Sequence, residues 1–247
     1  MQNVSADGTV DFAHLRAYPR RLNEYLGQLE KASPENDPAA FPTHEDQTAY
    51  WINAHNAIAL RLILNHFPAN SLTEVPDLET NTHYKLGGKS YNLSQIRAKA
   101  LRFDASLAIM LTMTNYSVDA PPISAQAYEG KSLKTLSAQA RQNALQSTHF
   151  IRFQRISGNC VSLQLSPFFQ GFQAALFPPP SEDEAEDQDG MAEEQAQPSN
   201  PAPMSWTELL KPYAPPSLYS DLGQSCSQNV EFQPANSNLR WLQLLRS

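Results

Sequence analysis

A long apolar stretch behind a helix-start signal constrains the fold more than any other feature of the chain. Thr43 can cap the amides of the next turn, and Asp46 lies three residues further on, as in a capping box. The pattern predicts a helix that runs to about Phe67 and ends before Pro68. Its apolar positions cover a broad face: Ala49, Tyr50, Ile52, Ala57, Leu60, Ile63 and Leu64. We therefore expect the central buried helix of a domain.

The segments on either side predict one domain of helices and hairpins. Helical patterns span 12–31 with a break at Pro19, 95–103 behind a Ser94 cap, 132–146, 167–177, 206–213 and 217–222. Strand patterns span 84–91 around Gly87-Gly88, 106–114, and 150–165 around residues 157–159. An N-terminal helical part, a central buried helix and antiparallel hairpins are typical of an α+β fold. We expect residues 1–177 to form the main domain and 205–247 to return to it.

Residues 178–204 stand apart as an acidic, proline-rich insertion that we expect to be disordered. Eight acidic residues and no basic one lie between Ser181 and Gln195, and they account for the whole of the net charge of -7. The rest of the chain is nearly neutral and offers no basic surface to nucleic acid. The insertion can be an inert loop, a weak calcium-binding patch, or the contact site of an unknown protein partner with basic charge.

The usual signatures of cofactor, metal and nucleophile sites are missing, so no cofactor, metal ligand or catalytic residue is predicted. Gly88-Lys89-Ser90 resembles the end of a phosphate-binding loop, but His83 occupies the position of its first glycine. The six histidines form no metal-binding pair, and Cys160 and Cys226 have no partner at ligand spacing. No apolar run approaches the roughly 18 residues of a membrane-spanning helix.

The most informative run on the central helix yields four candidate binding residues: Trp51, Asn53, His55 and Asn56. Trp51 and His55 are four apart and share one side, whereas Asn53 and Asn56 are three apart and share another. Asparagine is a poor helix former, so two in one turn indicate that their amides have partners. They can tie neighbouring loops to the helix by hydrogen bonds, or they can line a pocket.

This run also carries a family resemblance. Residues Ala49 to Ala57 read Ala-Tyr-Trp-Ile-Asn-Ala-His-Asn-Ala, which resembles the helix phrase of the domain of unknown function 547 family, with His55 in place of a tyrosine. The family's opening phrase is similar to Asp7-Gly8-Thr9-Val10-Asp11-Phe12. The resemblance extends to about Phe177, with a weaker echo at 230–232.

The chain departs from that family where the family carries polar chemistry. Arg97 and Ala98 stand at its Glu-His pair, Met110 at a histidine, Asn115 and Ala120 at two cysteines, and Gly171 and Ala175 at a tryptophan and an aspartate. A thiolate nucleophile needs a base or a cationic neighbour to ionise at neutral pH. If the relatives use these residues for catalysis, the resemblance implies a divergent member with a degenerate active site.

Two hypotheses for function follow. The first is a non-catalytic binding or interaction module on the family's scaffold. The alternative is a hydrolase or acyl-transfer enzyme with a site near the central helix, drawing on His55, Asn53, Asn56, Glu45 and Asp46. Glu45 and Asp46 lie in the first turn, where capping the helix is the simpler role for both.

Location stays open at this level. The chain as written shows no signal peptide, which favours the cytoplasm. Bacterial relatives are frequently exported, so a true start further upstream would instead favour the periplasm or secretion.

Overall fold

The computed structural model describes residues 4–5, 8–75, 79–146, 150–157, 160–173, 205–214 and 230–234. Groups of helices are separated by β-hairpins along this part of the chain. In order they are α1 (Phe12–Ala17), α2 (Arg20–Lys31), α3 (His44–Asn65), β1 (Tyr84–Leu86), β2 (Lys89–Tyr91), α4 (Leu93–Ala100), α5 (Leu107–Met110), α6 (Gly130–Gln146), β3 (Ile151–Ser157), β4 (Cys160–Leu165), α7 (Trp206–Leu210) and β5 (Val230–Phe232). The α+β class predicted from the sequence is confirmed.

Helix α3 lies at the centre of the fold, as predicted. Fourteen of its 22 residues are buried, and it packs against α1, α2, α4 and α6. The capping box at its start is formed: the Asp46 amide donates to Thr43 Oγ1 over 3.1 Å, and the Thr43 amide donates to Asp46 Oδ2 over 3.3 Å. The helix ends at Asn65, slightly before the predicted end.

Two local predictions around α3 are also confirmed. The helical pattern of residues 12–31 is interrupted at Pro19, which separates α1 from α2. The β1–β2 hairpin turns through Gly87 and Gly88, whose φ angles of 56° and 81° suit glycine at both central positions of a tight turn. The Gly87 amide donates to Leu29 O over 2.9 Å, so the hairpin is fastened to the end of α2.

The second sheet has the order β3–β4–β5. β3 and β4 form the predicted antiparallel hairpin, with Phe153 opposite Leu163. β5 lies parallel to β4, with Val230 opposite Leu163, so the sheet is mixed rather than purely antiparallel. The strand Val230–Phe232 thus joins the sheet built by β3 and β4.

The predicted strand at 106–114 is wrong. Leu107–Met110 forms the one-turn helix α5, and the Ile109 amide donates to the Ser106 hydroxyl at its start. Burial was predicted correctly, since Leu107, Ile109 and Met110 are all inaccessible to solvent or nearly so. A short continuous apolar run fits a buried strand and a buried helical turn equally well, so periodicity could not separate the two.

Two helix predictions need smaller corrections. α4 begins at Leu93 and is capped by Asn92, whose side chain forms a capping box with Gln95, rather than by Ser94. The described part of the predicted 167–177 helix is a 3₁₀ helix, Pro167–Phe172. The acidic insertion 178–204, the predicted helix at 217–222 and most of the C-terminal tail lie outside the described residues. No helix among the residues that are described is long and apolar enough to cross a membrane.

Candidate functional site

Asn56 fastens a distant loop to the central helix. Its Nδ2 donates to Thr112 O over 2.9 Å, and its Oδ1 accepts from the Thr114 amide over 3.0 Å. The Tyr116 hydroxyl donates to the Asn56 main-chain carbonyl over 2.9 Å. All four residues are buried, so these bonds hold loop 112–116 firmly against α3.

Asn53 makes the same kind of contact with another loop. Its Nδ2 donates to Tyr128 O over 2.7 Å, and its Oδ1 accepts from the Tyr128 amide over 3.0 Å. Unlike Asn56, Asn53 is only half-buried and lines a cavity. The two asparagines thus have the amide partners that their poor helix propensity indicated.

His55 lies in the interior, with 2 % of its surface exposed. Its Nδ1 is 3.3 Å from Asn56 Oδ1. That oxygen can only accept, so Nδ1 carries the proton and Nε2 is left with a lone pair. Nε2 is buried and has no hydrogen-bond partner among the described residues. Burial, followed by the positive charge of Arg97, lowers the pKa of His55 to about 3, although the bond to Asn56 opposes the shift.

Trp51 is also buried, and its ring packs edge-to-face against Tyr50 and Tyr91 at centroid distances of 5.0 and 5.4 Å. Such contacts are characteristic of an aromatic core. Of the four predicted binding residues, Asn53 is therefore the one that lines an opening, while Trp51, His55 and Asn56 lie in the interior. Their part in binding stays a prediction.

A cavity of about 370 Å³ lies beside the loop that Asn56 holds. Its wall combines charged, polar and apolar residues from five separate stretches of the chain: Leu72, Glu79, Thr80, Ser94, Arg97, Asn115, Ser117, Asp119, Pro167, Phe168, Gln170 and Gly171. We call it the Arg97 cavity. None of the described residues in its lining is a cysteine or a histidine.

Arg97 is the most constrained side chain of this cavity, with 6 % of its surface exposed. Nη2 donates to both carboxylate oxygens of Glu79 over 2.7 and 2.6 Å, and Nη1 donates to Gly171 O. The guanidinium carbon lies 4.9 Å from the centroid of the Phe172 ring. The bidentate pair and the ring contact fix the plane of the guanidinium group.

The guanidinium group of Arg97 occupies space that is open because residue 171 has no side chain. A Cβ atom built on Gly171 would lie 2.9 Å from Nη1 of Arg97. Because that nitrogen is held by Gly171 O and the guanidinium group by Glu79, it has little freedom to move away. Positions 97 and 171 are therefore coupled in space.

The loop that contributes Asn115, Ser117 and Asp119 to the wall also contains a strained residue. Tyr116 has a φ of 63°, which is unusual for a residue with a bulky side chain. On one side of it, Asn115 Oδ1 accepts from the amide and hydroxyl of Ser117 over 3.1 and 2.7 Å. Further along, the Ser166 hydroxyl donates to Asp119 O over 2.7 Å. Strained backbone that its surroundings hold in place is concentrated at binding and active sites.

The sequence did not identify this cavity as a site. From the sequence, Arg97, Asn115 and Gly171 were predicted only to differ from the family that the chain resembles. All three line this one cavity, so the differences themselves were the signal that pointed to it. Glu79, Asp119 and Gln170 carried no signal of their own. No group of three or more histidine, cysteine, aspartate or glutamate residues in the described part of the chain is placed to hold a metal ion.

The family model for the proteins of unknown function DUF547 matches residues 39–143. The resemblance stated from the sequence is thereby confirmed over that stretch, which contains α3, Arg97 and Asn115. The opening phrase at Asp7 and the region of Gly171 lie outside the match. No curated protein and no solved structure matches the chain.

Proposed function

From the match to the DUF547 family over residues 39–143, we propose that this protein is a non-catalytic binding module that holds a small polar molecule in the Arg97 cavity. One observation supports this most strongly. Two positions where the resemblance places a glutamate and a cysteine of the family are Arg97 and Asn115, and both line this cavity. Neither residue is a nucleophile or a base at neutral pH.

The chemistry of the wall favours a ligand with several hydrogen-bonding groups. Arg97 and Glu79 offset each other's charge across a bidentate contact. What remains is a set of neutral amides and hydroxyls with one carboxylate: Thr80, Ser94, Asn115, Ser117, Asp119 and Gln170. Leu72 and Phe168 add apolar surface. A few polar groups on a partly apolar wall are typical of small-molecule sites.

In this proposal Trp51, His55 and Asn56 do not line the Arg97 cavity but hold in place the elements that do. Asn56 holds loop 112–116, and His55 donates to Asn56. Trp51 packs α3 against Tyr91. With a pKa lowered to about 3, His55 is too weak a base for efficient proton transfer near neutral pH, which counts against its use in a hydrolase or acyl-transfer reaction.

A thermal-shift screen of small polar metabolites on the whole chain, followed by calorimetric titration of the hits, tests the proposal. Asn115→Asp keeps the oxygen that accepts from Ser117 but replaces the amide NH₂ and adds charge. We expect it to weaken a true ligand by about tenfold, which corresponds to one lost hydrogen bond. Asn70→Asp, the same change at an exposed position outside the cavity, should leave affinity unchanged.

Two results would contradict this proposal. One is equal affinity of every hit for the wild type and Asn115→Asp. The other is turnover of peptide, ester or amide substrates that Asn53→Ala abolishes, which would favour the enzymatic alternative.

The protein partner predicted for the acidic insertion is tested separately. A pull-down with the whole chain and with a version lacking Ser181 to Gln195 should capture a basic partner only when the insertion is present. Capture by both versions would move the contact elsewhere on the chain.

A further inference from the structure

A second cavity, of about 360 Å³, opens beside the first turns of α3. Four aromatic side chains line it: Tyr25, Phe41, Tyr50 and Tyr128. Small apolar side chains complete the wall: Leu29, Ala32, Ala40 and Ala49. We call this cavity the aromatic cleft, and none of its lining residues belongs to the Arg97 cavity.

The rings of the aromatic cleft are neutral and meet at an angle. Phe41 and Tyr50 lie edge-to-face, with a centroid distance of 5.0 Å and an interplanar angle of 70°. The Tyr50 hydroxyl donates to Leu29 O over 3.2 Å, and burial raises the pKa of Tyr25 to about 12, so its hydroxyl stays protonated. The faces of such rings carry partial negative charge and attract cations.

The charged groups at the aromatic cleft are both acidic. Among the described residues that line it, Asp46 and Glu129 are the only carboxylates, and none is a lysine, an arginine or a histidine. Glu129 is exposed and forms an ion pair with Lys131 at 2.8 Å, so Asp46 provides the effective negative charge. The starts of α3 and α6 add about half a positive charge each at this end, so the attraction for a cation comes from the ring faces together with the adjacent Asp46 carboxylate and not from a net negative field.

The position of the Asp46 carboxylate is fixed on both sides. Its Oδ2 accepts from the Thr43 amide and hydroxyl over 3.3 and 2.6 Å. On the other side, a Cβ atom at Gly130 would lie 2.1 Å from Oδ1. Glycine at 130 is therefore required for the carboxylate to remain where it is.

From these groups we propose that the aromatic cleft binds a small organic cation of the alkylammonium type. The charged head lies against the ring faces and Asp46, and the apolar substituents lie against Leu29 and Ala40. A calcium ion would need six or more oxygen ligands, which this largely apolar lining does not supply. A neutral ligand would use the carboxylate only as a hydrogen-bond acceptor, whereas a cation also uses its charge. The inference is independent of the function proposed for the Arg97 cavity.

Choline and its uncharged analogue 3,3-dimethylbutan-1-ol share one shape and therefore isolate the effect of the charge. Titration of each into the whole chain, followed by calorimetry and by NMR of the aromatic protons, should show saturable binding of choline. The alcohol should bind about tenfold more weakly, as expected when contacts between a cation and aromatic rings are lost. Equal affinities, or no saturable binding of choline, would overturn the proposal.

Variants locate the binding within the protein. Asp46→Asn keeps an oxygen that can accept from Thr43, and it should weaken choline about fivefold while leaving the alcohol unaffected. Glu45→Gln removes the neighbouring exposed carboxylate, which does not line the cleft, and should leave choline affinity unchanged. Tyr25→Leu should weaken choline, whereas Asn115→Asp should not. An equal effect of Glu45→Gln and Asp46→Asn would refute a specific site, provided that circular dichroism shows both variants folded.

Discussion

Two loops are attached to the same helix by the same chemical device and in different surroundings. Loop 112–116 is held by Asn56 in the interior, and the loop at Tyr128 is held by Asn53 near the surface. Both asparagines use one donor and one acceptor on main-chain groups. Because water can replace a broken bond at Asn53 more readily than at Asn56, the contacts should differ in energy although their geometry is alike.

The largest effect is expected at Asn56. Asn56→Ala leaves the Thr112 carbonyl and the Thr114 amide buried without their partner. We expect the free energy of unfolding to fall by about 3 kcal/mol, since each buried unpaired group costs about 1–3 kcal/mol. Urea denaturation with the wild type as reference measures this loss. A loss as small as that at an exposed asparagine would show that the loop does not depend on this side chain.

The second effect is a dependence of stability on pH that arises from His55, the buried neighbour of Asn56. The pKa of His55 falls from 6.5 to about 3 on folding, so only the unfolded chain takes up this proton between those values. The contribution to stability is complete above pH 6.5 and is lost as the pH falls toward 3. At pH 5 the loss should reach about 2 kcal/mol.

Urea midpoints from pH 7 to pH 5, measured on His55→Gln and the wild type, separate this contribution from other titrations. The glutamine amide can still donate to Asn56, so the variant should fold and show a shallower pH dependence. His44→Gln, at the exposed start of the same helix, should retain the wild-type slope. Identical slopes for His55→Gln and the wild type would contradict the assignment.

The smallest effect is expected at Asn53. Asn53→Ala should lower the free energy of unfolding by about 1 kcal/mol, because Asn53 is half-buried and borders a cavity from which water can enter and replace part of what is lost. Urea denaturation of Asn53→Ala and Asn56→Ala under the same conditions compares the two losses of stability directly. A loss at Asn53 equal to that at Asn56 would mean that burial does not decide the energy of these ties.

Local signals predicted much of the fold. The Thr43–Asp46 capping box, the break at Pro19 and the turn at Gly87-Gly88 each depend on residues within a few positions of one another. Residues 106–114 were misassigned because an unbroken apolar run has no usable period. The amides of Asn53 and Asn56 indicated partners but could not say which, since those partners lie 75 and 56 residues away.

Neither cavity could be predicted from the sequence, because residues that are distant in the chain line both of them. The Arg97 cavity gathers residues from 72 to 171, and Gly171 accepts from Arg97 across 74 positions. The aromatic cleft combines α2, the start of α3 and the loop at Tyr128. Aromatic residues at helical spacing predict a core face, and only the three-dimensional structure shows which rings border an opening.

The contact between Arg97 and Gly171 has a consequence for how this chain can change over generations. With Arg97 in place, a Cβ atom at 171 would meet the guanidinium group at 2.9 Å. A larger residue at 171 must therefore displace the arginine from its bonds with Glu79 and with the main chain. Whether position 171 tolerates a side chain thus depends on which residue stands at 97, so the effects of substitutions at the two positions should not be additive.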